Sequence, residues 1–254
     1  MNVRVLKVGG RNLGDPVWLS ELAGHLAHVR DPIVVVHGGG PEVSALMGRL
    51  GVPVAWSGGR RVTPPEALDV AVMVLSGRTN KRIVSALVGA GVDAIGLSGE
   101  DGGLLVAEPV EGGALGRVGQ VVRVRTELLH RLLAMGLTPV ISPISRGTDG
   151  DALNVNADDA AAAVAVALDA SELLFLTDVD HVHDGASGRS ELSSAEAVEL
   201  IEAGIARDGM RVKLEAAVRA LQAGCRAVRI GPLGMLTGSA TGTVVRGVAA
   251  EVAA

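Results

Sequence analysis

The chain has 254 residues, a formal net charge of −5 at pH 7 and a mean hydropathy of +0.39, with 48% hydrophobic residues. This composition excludes intrinsic disorder, and the mild acidity lacks the basic surface that nucleic-acid binding requires. Two Trp, one Phe and no Tyr are too few for stacking single-stranded nucleic acid. One cysteine allows no internal disulfide and no apolar run is long enough to span a bilayer, so we expect a cytoplasmic protein without membrane contact.

Short apolar runs alternate along the chain with longer helical stretches. The predicted strands cover residues 3–8, 33–36, 94–97, 104–109, 120–124, 139–142, 173–177, 227–230 and 242–245. The predicted helices cover residues 16–29, 41–50, 65–75, 81–88, 126–135, 157–168, 195–203 and 209–223. This order is typical of an α/β fold, in which a mostly parallel sheet carries helices on both faces.

A glycine pair follows the first predicted strand, which ends in Lys7 and Val8 and continues into Gly9 and Gly10. A lysine in an apolar strand is costly to bury unless an anion pairs with it. The two glycines allow backbone N–H groups to face the same anion. The alternative is a lysine at a solvated strand end followed by an ordinary turn, and this motif alone does not decide between them.

A glycine triplet follows the second predicted strand, after His37 and directly before Pro41. Proline in the first helical turn after glycines leaves a helix N-terminus open to an anion. A plain strand-to-helix turn rarely needs three glycines, so the pattern favours ligand contact. The chain contains neither the P-loop motif G-x-x-x-x-G-K-[ST] nor the dinucleotide-binding motif G-x-G-x-x-G. If the protein binds a nucleotide, other residues must hold its phosphates.

These two loops, taken with later segments in order, resemble the amino acid kinase family. The matching segments are 7–10 (Lys-Val-Gly-Gly), 37–40 (His-Gly-Gly-Gly), 59–63 (Gly-Arg-Arg-Val-Thr), 80–81 (Asn-Lys), 96–97 (Gly-Leu), 154–158 (Asn-Val-Asn-Ala-Asp), 177–179 (Thr-Asp-Val) and 208–213 (Asp-Gly-Met-Arg-Val-Lys). The resemblance covers almost the whole chain. It is greatest to the members that phosphorylate N-acetyl-L-glutamate, because carbamate, aspartate and uridylate kinases differ at 154–158.

The resemblance implies a three-layer αβα sandwich around a mostly parallel sheet of about eight strands, the fold of amino acid kinases and carbamate kinases. Within one continuous domain, residues 1–165 would bind the acyl amino acid and form the dimer contact, and residues 166–254 would bind nucleotide. The implied reaction moves the γ-phosphoryl group of ATP, with Mg²⁺, to the side-chain carboxylate of N-acetyl-L-glutamate in arginine biosynthesis. That carboxylate has a pKa of roughly 4.3, so it is ionised at pH 7 and needs charge cancellation, not a general base.

The resemblance also assigns roles to single residues. Lys7 and Lys213 would stabilise the migrating phosphoryl group, and Asp158 would hold both ammonium groups. The residues expected to bind the acyl amino acid are Gly39, Gly40, Arg61 and Asn154. The residues expected to bind nucleotide are Gly9, Gly10, Asp178, Val179, Asp180, His181, Val182, His183, Ile205, Ala206, Arg207, Gly209 and Met210. No metal ligand is assigned, because ATP oxygens and waters are expected to hold Mg²⁺.

Two local points stay open. Arg60 and Arg61 are neighbours on a predicted hairpin strand, where successive side chains face opposite ways, and we expect Arg61 to face the site. The run 177–184 holds two histidines and three aspartates, which also fits a metal site. We favour a polar loop beside the adenine, in which His181 replaces the small residue usual in the family and leaves the exact nucleotide contacts open.

Other functions are compatible with the motifs. The same reaction could use another N-acylated acidic amino acid, such as an aminoadipate derivative in lysine biosynthesis, or the chain could be a sensor without turnover. The presence of Lys7, Lys213 and Asp158 argues against a sensor. Because the first predicted strand begins at residue 3, the helix that links dimers into hexamers in arginine-inhibited family members has no counterpart. We therefore expect a homodimer, with the helix at 65–75 in its interface.

Overall fold

The computed structural model describes residues 2–10 and 12–247. The strands are β1 (Arg4–Val8), β2 (Ile33–His37), β3 (Trp56–Ser57), β4 (Arg60–Arg61), β5 (Ala94–Gly99), β6 (Leu105–Pro109), β7 (Val118–Val124), β8 (Thr138–Gly147), β9 (Ala152–Val155), β10 (Glu172–Leu176), β11 (Val182–His183), β12 (Gly188–Arg189), β13 (Glu191–Ser193), β14 (Val228–Gly231) and β15 (Thr243–Arg246). The helices are α1 (Pro16–Ala27), α2 (Gly40–Leu50), α3 (Pro65–Val72), α4 (Asn80–Gly89), α5 (Thr126–Ala134), α6 (Ala157–Ala167), α7 (Ser194–Glu202) and α8 (Asp208–Gln222). None of these helices is both long and apolar enough to cross a bilayer.

One mixed sheet of eleven strands organises the described part of the chain, in the order β13-β15-β14-β10-β1-β2-β8-β6-β7-β9, with β5 on β8. The pairings from β14 through β10, β1 and β2 to β8 are all parallel, which confirms the predicted parallel centre. Antiparallel pairs occur towards the two ends, at β14–β15, β6–β7 and β8–β9. The sheet is wider than about eight strands because it includes short members such as β9 and β13, which are too brief to show a periodicity.

Helices cover both faces of the sheet, so the structure has the expected three layers. Along β1, Val5 belongs to the apolar cluster that includes Val164 of α6, while Leu6 belongs to the cluster that includes Leu22 of α1. The alternation on one strand therefore separates the two clusters. Because both faces are buried, the central strands are continuous apolar runs, as in other parallel sheets.

The helices predicted at 65–75 and 81–88 are continuous in the structure, which corrects the predicted break between them. A π-helical segment, Met73–Thr79, joins α3 directly to α4. Ser76 and Gly77 suggest an interruption from sequence, but the Ser76 hydroxyl lies 2.7 Å from the Ser142 hydroxyl of β8, which anchors the segment. Such π-helical segments often occur beside functional sites.

The parallel strands carry their loops to one edge of the sheet. In the register of the sheet, Lys7 of β1 lies opposite Val36 of β2 on one side and Phe175 of β10 on the other. The two glycine loops and the segment after Leu176 therefore emerge side by side. This carboxyl edge is where open α/β sheets bind their ligands.

Candidate active site

A cavity of about 280 Å³ lies at the carboxyl edge, between the two glycine loops, the β3–β4 hairpin and the start of α6. The predicted site residues that line it are Lys7, Gly10, Gly39, Gly40, Arg61, Asn154 and Asp158. Ligand pockets commonly measure about 300–1,000 Å³, so this cavity suits a small metabolite better than a whole nucleotide. The fold thus brings together residues from three distant parts of the chain.

Lys7 and Asp158 form an ion pair in the cavity wall. The Lys7 Nζ lies 2.8 Å from the Asp158 Oδ1, and the two side chains are only 9% and 10% exposed. Asp158 is in the first turn of α6, where the helix dipole stabilises a carboxylate. Asn156 caps this helix, its side-chain oxygen accepting the N–H of Asp158 at 2.8 Å. The helix start therefore fixes the carboxylate, and the carboxylate fixes the ammonium group of Lys7.

Arg61 is buried in the same wall, and no carboxylate of residues 2–10 or 12–247 pairs with it. Its Nη2 donates to the carbonyl oxygen of Gly40 at 2.9 Å and to the hydroxyl of Ser44 at 2.7 Å. The ring of Trp56 lies 4.5 Å from the guanidinium carbon, and burial lowers the pKa of Arg61. All of these described partners are neutral. A buried guanidinium among neutral groups beside a cavity is suited to binding a carboxylate of a ligand.

Arg60 has different partners from Arg61, as the alternation on a strand predicts. Its Nη2 lies 3.5 Å from the Asp159 Oδ2, and Asp159 also pairs with Arg219 of α8 at 2.8 Å. Asp159 therefore links the hairpin to α8. Arg60 nevertheless borders the cavity, a position that the alternation alone does not predict.

The two glycine loops pack against each other, and the Gly38 N–H donates to the Val8 carbonyl oxygen at 2.9 Å. Gly39 precedes α2 without any side-chain cap, and Pro41 lies in the first turn. A Cβ on Gly10 would lie 2.9 Å from the Gly39 nitrogen and 3.1 Å from the Gly40 nitrogen, so only glycine allows this approach. An uncapped helix N-terminus at a cavity is an anion site.

Asn154 is fixed at the far side of the β3–β4 hairpin. Its Nδ2 donates to the Thr63 hydroxyl at 3.1 Å, and that hydroxyl donates to the Arg61 carbonyl oxygen at 2.8 Å. Thr63 is fully buried. Two of the four residues predicted to bind the acyl amino acid, Arg61 and Asn154, are therefore joined through one hydroxyl.

Lys213 lies outside the cavity lining, in the second turn of α8. Its Nζ lies 3.5 Å from the carbonyl oxygen of Gly209, and the side chain is half-buried. Helix α8 packs against α6, the helix that carries Asp158. Of the three predicted catalytic residues, two line the cavity and the third is on the adjacent helix.

The predicted nucleotide residues surround the same edge, and Gly10 alone among them lines the cavity. Residues 178–183 follow β10, and residues 205–207 lead into α8, whose first turn contains Gly209 and Met210. Val182 and Ala206 are buried in the core, so their side chains cannot contact a ligand and only their backbone is available. The His181 Nε2 lies 3.3 Å from the Thr241 hydroxyl.

The run of histidines and aspartates at 177–184 leads from β10 into the β11–β12 hairpin, whose turn begins at Asp184. Asp184 accepts the N–H groups of Ser187 and Ala186, at 2.9 and 3.0 Å, and pairs with Arg189. The two backbone N–H groups lower the pKa of Asp184. Within residues 2–10 and 12–247, no group of three or more His, Cys, Asp or Glu side chains is placed to hold a metal ion.

Several residues of the site have no individual role in the sequence motifs. They are His37, Glu42, Ser44, Trp56, Thr79, Asn80 and Asn156. Glu42 accepts a hydrogen bond from the Thr79 hydroxyl and pairs with Arg82. Burial alone would raise the pKa of Glu42, but these two hydrogen bonds lower it on balance. Only Asn156, which precedes an acidic first turn, carries a local signal, that of a helix cap.

Comparisons with known proteins agree with this geometry. The model of the amino acid kinase family matches residues 2–231. The acetylglutamate kinase of Chloroflexus aurantiacus is 47% identical over 231 residues, covering 90% of this chain and 91% of the relative. That of Methanopyrus kandleri is 45% identical over 255 residues, covering 96% and 100%. A solved carbamate kinase from Giardia lamblia bound to AMP-PNP superposes with a TM-score of 0.75 at 16% identity, over 97% of this chain and 99% of that one, which shows a shared fold.

Proposed function

Because the chain belongs to the amino acid kinase family, we propose that it transfers the γ-phosphoryl group of ATP to the side-chain carboxylate of N-acetyl-L-glutamate. The products are N-acetyl-L-glutamyl 5-phosphate and ADP, a step of arginine biosynthesis. One observation carries the choice of substrate. A single small cavity combines the buried Arg61, the Lys7–Asp158 pair and the open N-terminus of α2, which together suit a dicarboxylate.

The substrate orientation follows from these charges. Arg61 binds the α-carboxylate through its planar guanidinium, and the N–H groups of Gly39 and Gly40 bind the carboxylate that reacts. Asn154 hydrogen-bonds the acylated nitrogen or its carbonyl. Asp158 is the only carboxylate among the described residues that line the cavity, and Lys7 already neutralises it. A free α-ammonium group therefore has no partner, which favours an acylated amino acid over glutamate.

The chemistry needs no proton transfer. An oxygen of the ionised carboxylate attacks the γ-phosphorus, the bond to the oxygen that bridges the β- and γ-phosphates breaks, and ADP leaves with the electron pair. Catalysis of such a transfer consists of positioning and charge stabilisation. Lys7, oriented by Asp158, supplies positive charge to the migrating phosphoryl group. Lys213 supplies a second positive charge from α8.

Nucleotide binds mainly at the C-terminal side of the edge, at residues 178–183, 205–207, 209 and 210, where the N-terminus of α8 favours phosphate. Gly9 and Gly10 contact it from the first glycine loop. Mg²⁺, when bound, neutralises charge on the phosphate oxygens. The described cavity residues suit an ion carried by ATP and water, because the carboxylate of Asp158 is committed to Lys7. In this assignment residues 1–165 bind the acyl amino acid and residues 166–254 bind the nucleotide.

A cytoplasmic homodimer belongs to the same proposal. Along α3 and the π-helical segment, Val70 and Val74 are buried, while Met73 is 54% exposed and leaves apolar surface for a partner. Light scattering measures the assembly directly. A mass of twice 25.7 kDa supports the dimer, and a mass of 25.7 kDa refutes it.

A coupled ADP-release assay tests the reaction with three acceptors: N-acetyl-L-glutamate, L-glutamate and N-acetyl-L-2-aminoadipate. We expect the highest kcat/KM with N-acetyl-L-glutamate and none above background with L-glutamate. A higher value with the aminoadipate derivative would move the function to that substrate. If no ADP is released with any of the three acceptors, the protein is a sensor without turnover.

A further inference from the structure

We propose that His37 and Asn80 position the glycine loop for catalysis, with His37 holding the Gly38–Gly39 peptide so that the Gly39 N–H points into the cavity. Asn80 selects the tautomer of His37 that carries its proton on Nδ1, which is the tautomer that can donate to the Gly38 carbonyl oxygen. The inference rests on the proposed phosphoryl transfer and adds two positioning residues to it. Neither residue touches the reacting atoms.

The hydrogen bonds of His37 identify its tautomer. His37 ends β2 and is fully buried, with its Nδ1 2.9 Å from the carbonyl oxygen of Gly38. A carbonyl oxygen only accepts, so Nδ1 carries the proton. The Nε2 lies 3.1 Å from the Asn80 Nδ2, an amide donor, and therefore accepts. Burial lowers the pKa of His37 to about 4, so the ring is neutral at pH 7.

The surroundings of Asn80 fix the orientation of its amide. The Nδ2 lies 2.9 Å from the carbonyl oxygen of Val140, and the Oδ1 lies 3.1 Å from the ammonium group of Lys81. A flipped amide would place its oxygen against the Val140 carbonyl and its NH₂ against the ammonium group. The Nδ2 therefore uses its two shortest contacts to donate to Val140 and to His37.

The direction of the Gly39 N–H follows from peptide geometry. In a trans peptide plane the C=O and the next N–H point in opposite directions, and the described residues contain no cis peptide bond. The Gly38 carbonyl points back to the imidazole, so the Gly39 N–H points away from it. Gly38, Gly39 and Gly40 all line the cavity. His37 thereby sets the donor that faces the reacting carboxylate.

A matched pair of variants separates positioning from simple core packing. His37→Asn places an amide nitrogen near the former Nδ1 and can still donate to Gly38. His37→Gln places its amide near the former Nε2, where the amide oxygen can accept from the Asn80 Nδ2, and it has no donor for Gly38, although its volume is closer to histidine. Losing one oxyanion-hole donor typically costs about 10²–10³ in kcat. We therefore expect the kcat of His37→Gln to be at least about tenfold below that of His37→Asn, although His37→Gln unfolds at the higher temperature.

The proposal is overturned if the more stable of the two variants is also the more active one. If His37→Gln were the more active variant, or if both had the same kcat, His37 would be only a packing residue. The KM for ATP serves as an internal control, since the inference predicts that it stays within about threefold in both variants.

A double-mutant cycle tests the role of Asn80. In the wild type, Asn80→Ala removes the donor to the His37 Nε2, so the ring can also take the tautomer protonated on Nε2, and kcat falls. In the His37→Asn background no tautomer exists, so Asn80→Ala lowers kcat no further. An equal effect in both backgrounds would mean that Asn80 does not act through His37.

The tautomer can be measured without any substrate. The ¹⁵N chemical shifts of the imidazole in the wild-type protein should show a protonated Nδ1 and an unprotonated Nε2 at pH 7. A protonated Nε2 would overturn the inference even if the enzyme is active. Absence of ADP release by the wild type would instead overturn the proposed function, while the shifts would still decide the tautomer.

Discussion

Lys7→Ala is expected to lower both stability and catalysis, because it leaves the carboxylate of Asp158 buried without its partner. At 2.8 Å and an effective dielectric constant of about 20, the attraction between the two charges is about 6 kcal/mol. Removing one member of a buried pair typically costs about 3–5 kcal/mol of unfolding free energy. Urea unfolding measures that loss, and the ADP-release assay measures kcat on the same sample.

A double variant separates the two effects. Lys7→Ala with Asp158→Asn removes the stranded charge, so it should regain at least half of the lost stability while kcat stays as low as in Lys7→Ala. Arg226→Ala is the control, since its ion pair with Asp169 is exposed and its loss should leave the urea midpoint almost unchanged. A double variant no more stable than Lys7→Ala would refute the coupling, and a normal kcat in Lys7→Ala would refute its role in phosphoryl transfer.

Variants at four other positions test the remaining assignments of the site. Lys213→Ala should lower kcat by at least about 100-fold with a smaller change in KM, because its charge acts in the transition state; a normal kcat would remove it from the mechanism. Arg61→Lys should raise the KM for N-acetyl-L-glutamate at least about tenfold, since an ammonium group cannot reproduce the planar guanidinium; an unchanged KM would mean that another residue binds the α-carboxylate. Burial holds the pKa of His37 at about 4 against 6.5, so the unfolded chain gains the proton first as the pH falls. Stability is therefore lost between pH 6.5 and 4, by up to about 3 kcal/mol, and urea unfolding of His37→Gln should lack this loss; identical pH profiles would contradict it. In Gly96→Ala a Cβ would lie 2.0 Å from the Asn80 Oδ1, so the variant should unfold at lower urea and lose activity, whereas a wild-type midpoint would show that Asn80 can move freely.

The parallel centre of the sheet was predictable because burial on both faces leaves a strong apolar signal. The strands β3, β4 and β13 have only two or three residues each, too few for a period to show. The continuous helix from α3 to α4 was not predictable either. Ser76 and Gly77 favour a break locally, but distant contacts hold the helix continuous. Ser76 meets Ser142, 66 positions away, and Val74 and Leu75 are buried in a cluster with residues of α2.

The site was predictable where a residue carries its chemistry in a local motif. Lys7, Arg61 and Asp158 each stand in a recognisable run, and all three line the cavity. The contact between His37 and Asn80 joins positions 43 residues apart and depends on the register of β2 with β8, which the sequence does not encode locally.

The structure of a trapped product shows which carboxylate of the substrate faces the γ-phosphate. Hydroxylamine converts an acyl phosphate into a hydroxamate, whose position mass spectrometry identifies. With ATP and N-acetyl-L-glutamate, we expect a hydroxamate on the side-chain carboxyl carbon, formed by the wild type and almost absent with Lys7→Ala. A hydroxamate on the α-carboxyl carbon, or ADP release without any hydroxamate, would contradict it.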